Sequence, residues 1–171
     1  MATATKREPV TQARLKELLH YDPETGVFTW LVTRNNFVRA GRVAGVPNSS
    51  GHIQIMIDGR AYFAHRLAFL YVTGEWPRHH VDHINCEEAD NRWLNLREAT
   101  GTQNNANARR RTDNSTGYKG VSWYKDGRCY RAYIRKAGHL HYLGSFSEPQ
   151  EAHAAYVRAA DRMFGDFARA A

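Results

Sequence analysis

Residues 80–107 read "HVDHINCEEADNRWLNLREATGTQNNAN", and the fold turns on how this stretch divides. With its two preceding residues, "RHHVDHIN" has the β-branched and alternating character of a short strand. "CEEADNR" (86–92) is a loop. Thr100 is followed three residues later by Gln103, the pattern of a capping box, so a helix starts there and runs into "NNANARRR". Four polar landmarks result: Asp82, His83, Asn95 and Asn104, the last about one turn inside the helix. Asn105 and Asn107 compete with Asn104, since Asn107 lies three positions on, on the same face. Neighbours on a regular strand point to opposite faces, so the strand must end or twist at Asp82–His83 if both serve one site.

Such a set suits the cutting of a phosphodiester, which needs a deprotonated water, neutralised phosphate charge and help for the leaving oxygen. A histidine can be a neutral base near pH 7. A carboxylate and a carboxamide are hard oxygen ligands for an ion of the Mg²⁺ type.

Upstream, residues 15–64 form a β-rich segment. "ARLKELLHY" (13–21) is a short helix with Leu15, Leu18 and Leu19 on one side, "DPETG" (22–26) a turn and "VFTWLV" (27–32) a strand. "HIQIMIDGRAYFAH" (52–65) alternates around Asp58-Gly59, which signals a hairpin. A helix follows over 65–73. His65 either supports the site or ties this helix to the hairpin, and the second reading is preferred. Trp30, Trp76 and Trp93 are core residues, and His79 and His80 solvated or phosphate-facing ones.

Downstream, "GYKGVSWY" (117–124), "RCYRAYIRK" (128–136) and "HLHYLGSF" (139–146) are strands separated by "KDG" and "AG" turns. Ser147 with Gln150 makes a second capping box, with Pro149 in the first turn. Ala152, Ala155, Tyr156, Ala159, Ala160, Met163 and Phe164 form one apolar stripe of the helix that Gly165 closes. Tyr130, Ala132 and Ile134 should pack on that helix. Arg131, Tyr133 and Arg135 are left on the other face, which fits the width of a DNA major groove.

The 171 residues carry a formal charge of +7, and the nine Lys/Arg between Arg109 and Lys136, opposed by Asp113 and Asp126, equal that excess. Tyrosines and a tryptophan are interleaved, so the segment reads as a nucleic-acid face rather than a solvated one. No run approaches the ~18 apolar residues of a membrane span. Cys86 and Cys129 form no CxxC pair, which excludes a cysteine zinc site and a disulfide framework. "MATATKREPV" lacks the apolar stretch of a secretory signal, and residues 1–14 are expected to be a flexible tail.

Two resemblances follow from these residues. "HRLAF", "GEWP", "VDHIN", "DNRWLNLREAT" and "TQNNAN" resemble the HNH (ββα-metal) nuclease family, in the cysteine-free form of phage and intron-encoded homing endonucleases. "YDPETGVFTW" and "GHIQIMIDGRAYFAHRL" resemble the leader of phage members. The resemblance implies His83 as general base, Asp82 and Asn104 as metal ligands, and Asn95 as the residue that ties down the loop and orients the base. "YKGV", "AYIR", "YLGSF" and "EAHAAY" resemble the ethylene-response-factor (Apetala-two type) DNA-binding domain, a three-stranded sheet backed by one helix. By position it implies DNA contacts from Lys119, Tyr124, Arg131, Tyr133, Arg135 and Tyr142. Lys119 replaces the family's arginine, Tyr130 and Tyr142 stand where it has tryptophan, and its terminal Asn-Phe is missing, so its sequence preference does not transfer.

The expected architecture is therefore α+β: a tail (1–14), an N-terminal β-rich segment (15–64), a ββα-metal HNH core (65–111), a linker (112–116) and a three-stranded antiparallel sheet packed on one helix (117–171). Arg109, Arg110 and Arg111 extend the DNA-binding set. The expected activity is cleavage of double-stranded DNA with one divalent ion, Mg²⁺ before Mn²⁺, and no zinc or small-molecule cofactor. The expected setting is the cytoplasm of a bacterial host, phage-encoded, away from membranes, as a monomer or weak dimer. The rival readings are a DNA-binding transcriptional regulator with an inactive HNH remnant and an RNA-binding protein.

Overall fold

Asp58 and Gly59 both take positive φ (47° and 80°), the backbone of a two-residue hairpin turn that matches strand twist. In this computed structural model, which describes residues 9–169, they join β4 (Ile53–Ile57) to β5 (Arg60–Phe63). The chain divides into two units, Met1–Glu98 and Ala99–Ala171. The nuclease-like stretch expected at 65–111 is thus shared between them.

In the first unit, α1 (Gln12–Leu18) is capped by Thr11, whose hydroxyl accepts from the Arg14 amide. Residues 9–14 were expected to belong to a flexible tail and are instead ordered. The buried Val10 amide donates to the Tyr62 hydroxyl at 3.0 Å, and the Val10 carbonyl accepts from the Trp76 indole. The expectation for residues 1–8 lies outside the described residues. β1 (Leu19–Asp22) pairs antiparallel with β2 (Val27–Trp30). Leu19, expected in the helix, opens β1 and remains fully buried. β3 (Val46–Pro47) borders β4, giving the order β3-β4-β5. β5 runs directly into α2 (Ala64–Thr73), which ends on a left-handed Gly74. β6 (His80–His83) and β7 (Leu96–Ala99) form the next ribbon, with a 3₁₀ turn at Trp93–Asn95 between them. Leu15, Leu18, Phe28, Ile55, Ile57 and Leu67 fill the core between these elements. Each contributes roughly 1.5–3 kcal/mol through burial.

The second unit starts with α3 (Gly101–Asn107), whose capping box is complete. The Thr100 hydroxyl accepts from the Gln103 amide, and the Gln103 side chain accepts from the Thr100 amide at 2.8 Å. β8 (Val121–Tyr124), β9 (Cys129–Lys136) and β10 (His139–Phe146) form an antiparallel sheet in the order β10-β9-β8. α4 (Pro149–Phe164) packs its alanine stripe on it, with Ala152, Ala159 and Ala160 buried beside Ala132 and Ile134. Gly120 (φ 75°) lets the chain pass under Tyr156, whose ring stands where a Cβ would be. One local expectation fails. Glu148, not Ser147, is the N-cap of α4, and no side chain caps it. Proline suits the first helical position, where its missing N–H costs nothing, so Pro149 sets the start one residue later than the Ser147–Gln150 box would.

Candidate functional site

The ribbon β6–β7 carries the first part of the site. Asp82 and His83 are adjacent and both buried, β6 ends at His83, and each has its own partners. The Asp82 Oδ2 accepts from the Arg97 Nε at 2.9 Å, an ion pair with little exposure on either side. The His83 ring instead packs edge-on against His65, with centroids 5.0 Å apart.

His83 is pinned by a residue that sequence reasoning passed over. Its Nε2 lies 3.3 Å from the Oδ1 of Asn91, which is 2 % exposed. The Asn91 Nδ2 donates to the Ala89 carbonyl, so its Oδ1 is the acceptor that remains. That arrangement assigns the proton of neutral His83 to Nε2 and leaves the lone pair on Nδ1. Burial holds His83 below the ordinary histidine range, opposed by the bond to Asn91.

Asn95 was expected to tie down the loop and orient the base, and its bonds lie within the loop. Its Oδ1 accepts from the Asn85 amide, and its Nδ2 donates to the Asn85 side chain and the Asp90 carbonyl. It closes the loop that presents Asn91. Asp90 adds to the closure by bonding Arg92 and the Asn85 Nδ2. The loop also rests on the N-terminal strands. The Tyr21 hydroxyl donates to the Asn91 carbonyl at 2.7 Å, and the Pro23 carbonyl accepts from the Trp93 amide at 2.9 Å. Gly26 (φ 73°) lies so close to the Asn91–Arg92 backbone that a Cβ would overlap it.

The β4–β5 hairpin supplies two more imidazoles. The register of that hairpin ends at Gln54 and Phe63; His52 lies just before β4, and His65 just after β5 in the first turn of α2. Their ring centroids are 5.3 Å apart, and His52 lies 5.7 Å from His83. His65 is 7 % exposed, and burial pushes its pKa down to about 3, with smaller contributions from His83, His52 and Arg66. It stacks on Phe63 at 5.3 Å, so it both holds the helix to the hairpin and lies against His83. His52 was not singled out in the sequence, since it lies outside the paired strands and meets the other two rings only in the fold.

Asn104 lies half-buried on α3, in the second unit. In the first unit, the Asp82 carboxylate is a hard oxygen donor of the kind that suits an ion of the Mg²⁺ class, and its Oδ2 is shared with Arg97.

On the second unit, Arg131, Tyr133 and Arg135 of β9 are flanked by Tyr124 of β8 and Tyr142 of β10. A bulge between Tyr142 and Gly144 lets Leu143 and Phe146 join the core beneath. The Arg131 guanidinium lies 3.2 Å from the centre of the Tyr124 ring, and Tyr133 and Tyr142 are in ring contact at 5.4 Å. Arg135 is exposed and donates to the Gly138 carbonyl. Lys119 departs from the expected set. Its ammonium donates to the carbonyls of Ala106, Ala108 and Arg169, where it closes the end of α3. Arg109, Arg110 and Arg111 are exposed and line one cleft with Lys119, Tyr133 and Arg135. Arg111 is also paired with Asp113.

Among the described residues no helix is long and apolar enough to cross a membrane. Residues 62–106, roughly a quarter of the chain, match the family model of the HNH endonuclease. No curated protein and no solved structure matches the chain. An HNH domain indicates a nuclease that acts on DNA with a divalent metal. The match ends before the sheet of the second unit, so it lends the ethylene-response-factor resemblance no support.

Proposed function

We propose that the chain is a metal-dependent HNH endonuclease that hydrolyses phosphodiester bonds in double-stranded DNA. One observation carries this reading. A buried imidazole, His83, is held by Asn91 in a single tautomer, in the strand-and-loop part of the segment that matches the HNH family. His83 takes a proton from water through its Nδ1 lone pair. Asn91 holds the opposite ring nitrogen, and Asn95 holds Asn91 by closing the loop at Asp90. Arg97 keeps the Asp82 carboxylate in place. Asp82 and, from its place in the HNH resemblance, Asn104 are the residues we assign to a divalent ion, and oxygen donors of this kind suit Mg²⁺ and Mn²⁺ alike. When bound, that ion neutralises charge on the scissile phosphate and on the leaving oxygen.

The sheet of the second unit delivers the substrate. Arg131, Tyr133, Arg135, Tyr124 and Tyr142 form its outward face, on three strands backed by a helix, and we read residues 117–171 as a DNA-binding domain of the ethylene-response-factor kind. A chain with one such site nicks as a monomer and needs a second copy to break the duplex. We read it as a homing-type or phage nuclease of the bacterial cytoplasm.

The test is incubation of supercoiled plasmid with the protein and Mg²⁺, with EDTA and His83→Ala as controls. Metal-dependent nicking that is lost in His83→Ala is the expected result. DNA binding without cleavage, across several metals and DNA sequences, would favour the transcriptional-regulator reading instead.

A further inference from the structure

His52, His65 and His83 come from three places: the residue just before β4, the first turn of α2 and the end of β6. One ring nitrogen from each lies within 4.8 Å of the other two, and among the described residues these histidines form a group able to hold a metal ion. Structural packing alone does not account for their polar atoms. His65 is more than nine-tenths buried, and its Nδ1 has no hydrogen-bond partner. A buried nitrogen of this kind costs about 1–3 kcal/mol unless something satisfies it. The Nδ1 of His52 is bonded to the Ser50 hydroxyl, which fixes that ring and leaves Nε2 as its remaining nitrogen. Asn91 holds the Nε2 of His83. A ligating histidine is usually held in this way through its other nitrogen.

The donor set selects the ion. Three neutral imidazoles without a carboxylate suit borderline-soft cations and offer little to Mg²⁺, which prefers oxygen. A tetrahedral Zn–N distance of about 2.0–2.1 Å places ligand nitrogens roughly 3.3 Å apart. Side-chain rotations of an ångström or so would close the present cluster to that spacing.

We propose that His52, His65 and His83 form a site for a cation of the Zn²⁺/Co²⁺ class, and that filling it takes His83 out of the reaction. The inhibitory half rests on the nuclease reading; the binding half does not. An ion on His83 occupies the lone pair that would accept the proton from water. The same chain then distinguishes two kinds of metal: a hard ion on oxygen ligands supports cleavage, and a softer ion on imidazoles stops it.

The binding experiment uses metal-free full-length protein titrated with Co²⁺. Four-coordinate Co²⁺ gives intense visible d–d absorption that octahedral Co²⁺ lacks. The expected result is such a band at one equivalent, displaced by Zn²⁺ and lost in both His52→Gln and His65→Gln. Circular dichroism spectra like that of the unsubstituted protein show that each variant is folded. If one variant fails to fold, the other decides. No band, or a band unchanged in a folded variant, overturns the site.

The second arm measures Mg²⁺-supported plasmid nicking against added Zn²⁺. Each variant is normalised to its own Zn²⁺-free rate. His52→Gln is expected to raise the Zn²⁺ concentration for half-inhibition at least tenfold. Zn²⁺ that binds at the three histidines yet leaves nicking unchanged overturns the inhibitory role. If the unsubstituted protein nicks no DNA with Mg²⁺, the nuclease reading and the inhibitory role fall together, and the Co²⁺ spectrum still decides the site.

Discussion

The Oδ1 of Asn91 lies 3.3 Å from the Nε2 of His83, and both residues are buried. A single carboxamide thereby fixes the tautomer of the imidazole that we propose as the base. Asn91→Ala should lower the nicking rate by one to two orders of magnitude. It should also mix the two His83 tautomers, read from the ¹⁵N shifts of the ring. A rate loss with the tautomer unchanged would mean that Asn91 acts elsewhere.

The Asp82–Arg97 pair is mostly shielded from solvent, so its halves depend on each other. Arg97→Ala leaves a buried carboxylate and should cost about 3 kcal/mol of stability, measured by urea unfolding. The double variant Asp82→Leu with Arg97→Leu should cost less than Arg97→Ala alone, since the stranded charge is gone.

Gly26 is a position where a methyl group should damage the site at a distance. Gly26→Ala meets both a positive φ and the backbone of Asn91 and Arg92. A loss of roughly 2 kcal/mol, seen as a lower thermal midpoint, should come with slower nicking. Normal activity in a destabilised variant would show that the turn supports the fold without aligning Asn91.

Acid should loosen the loop through Asp90. Arg92 is the main cause that holds this carboxyl down at about 2, below the ordinary value of 3.8, with backbone and Asn85 bonds adding to it. A depressed carboxylate adds stability above its unfolded pKa and loses it as pH falls toward the folded value. The unfolded chain binds the extra proton between about pH 4 and 2, so stability falls in that window. Asp90 is partly exposed, and solvent screening limits its share to about 1 kcal/mol. The gap in urea midpoint between the unsubstituted protein and Asp90→Asn should be present at pH 5 and gone by pH 2.

Two cations of the second unit should respond differently to loss. Arg135 is exposed on the sheet face, and Arg135→Ala should weaken DNA binding and reduce the salt dependence by about one phosphate contact. Lys119 bonds three backbone carbonyls, so Lys119→Gln should lower stability and leave the salt slope intact. A reduced slope in Lys119→Gln would return that residue to the DNA face.

Much of the backbone was legible in the chain. The Thr100–Gln103 box, the Asp58-Gly59 hairpin and the alanine stripe of α4 all formed where their residues said. Each depends on groups within a turn or two of one another, so the nearby sequence holds the whole interaction. The Ser147 cap failed inside the same range, because Pro149 imposed a competing local rule.

The sequence by itself picked out the candidates: Asp82, His83, Asn95 and Asn104 stand out by type and spacing. Tertiary structure alone decided which partner each one meets. Asn91 became the partner of His83 because a loop closed by Asn85, Asp90 and Asn95 is seated on Tyr21, seventy positions away. His52, His65 and His83 meet only through the packing of the hairpin, α2 and β6 around one core. Hydrogen-bond and steric preferences act over a few residues, whereas these meetings depend on burying apolar surface contributed by the whole unit.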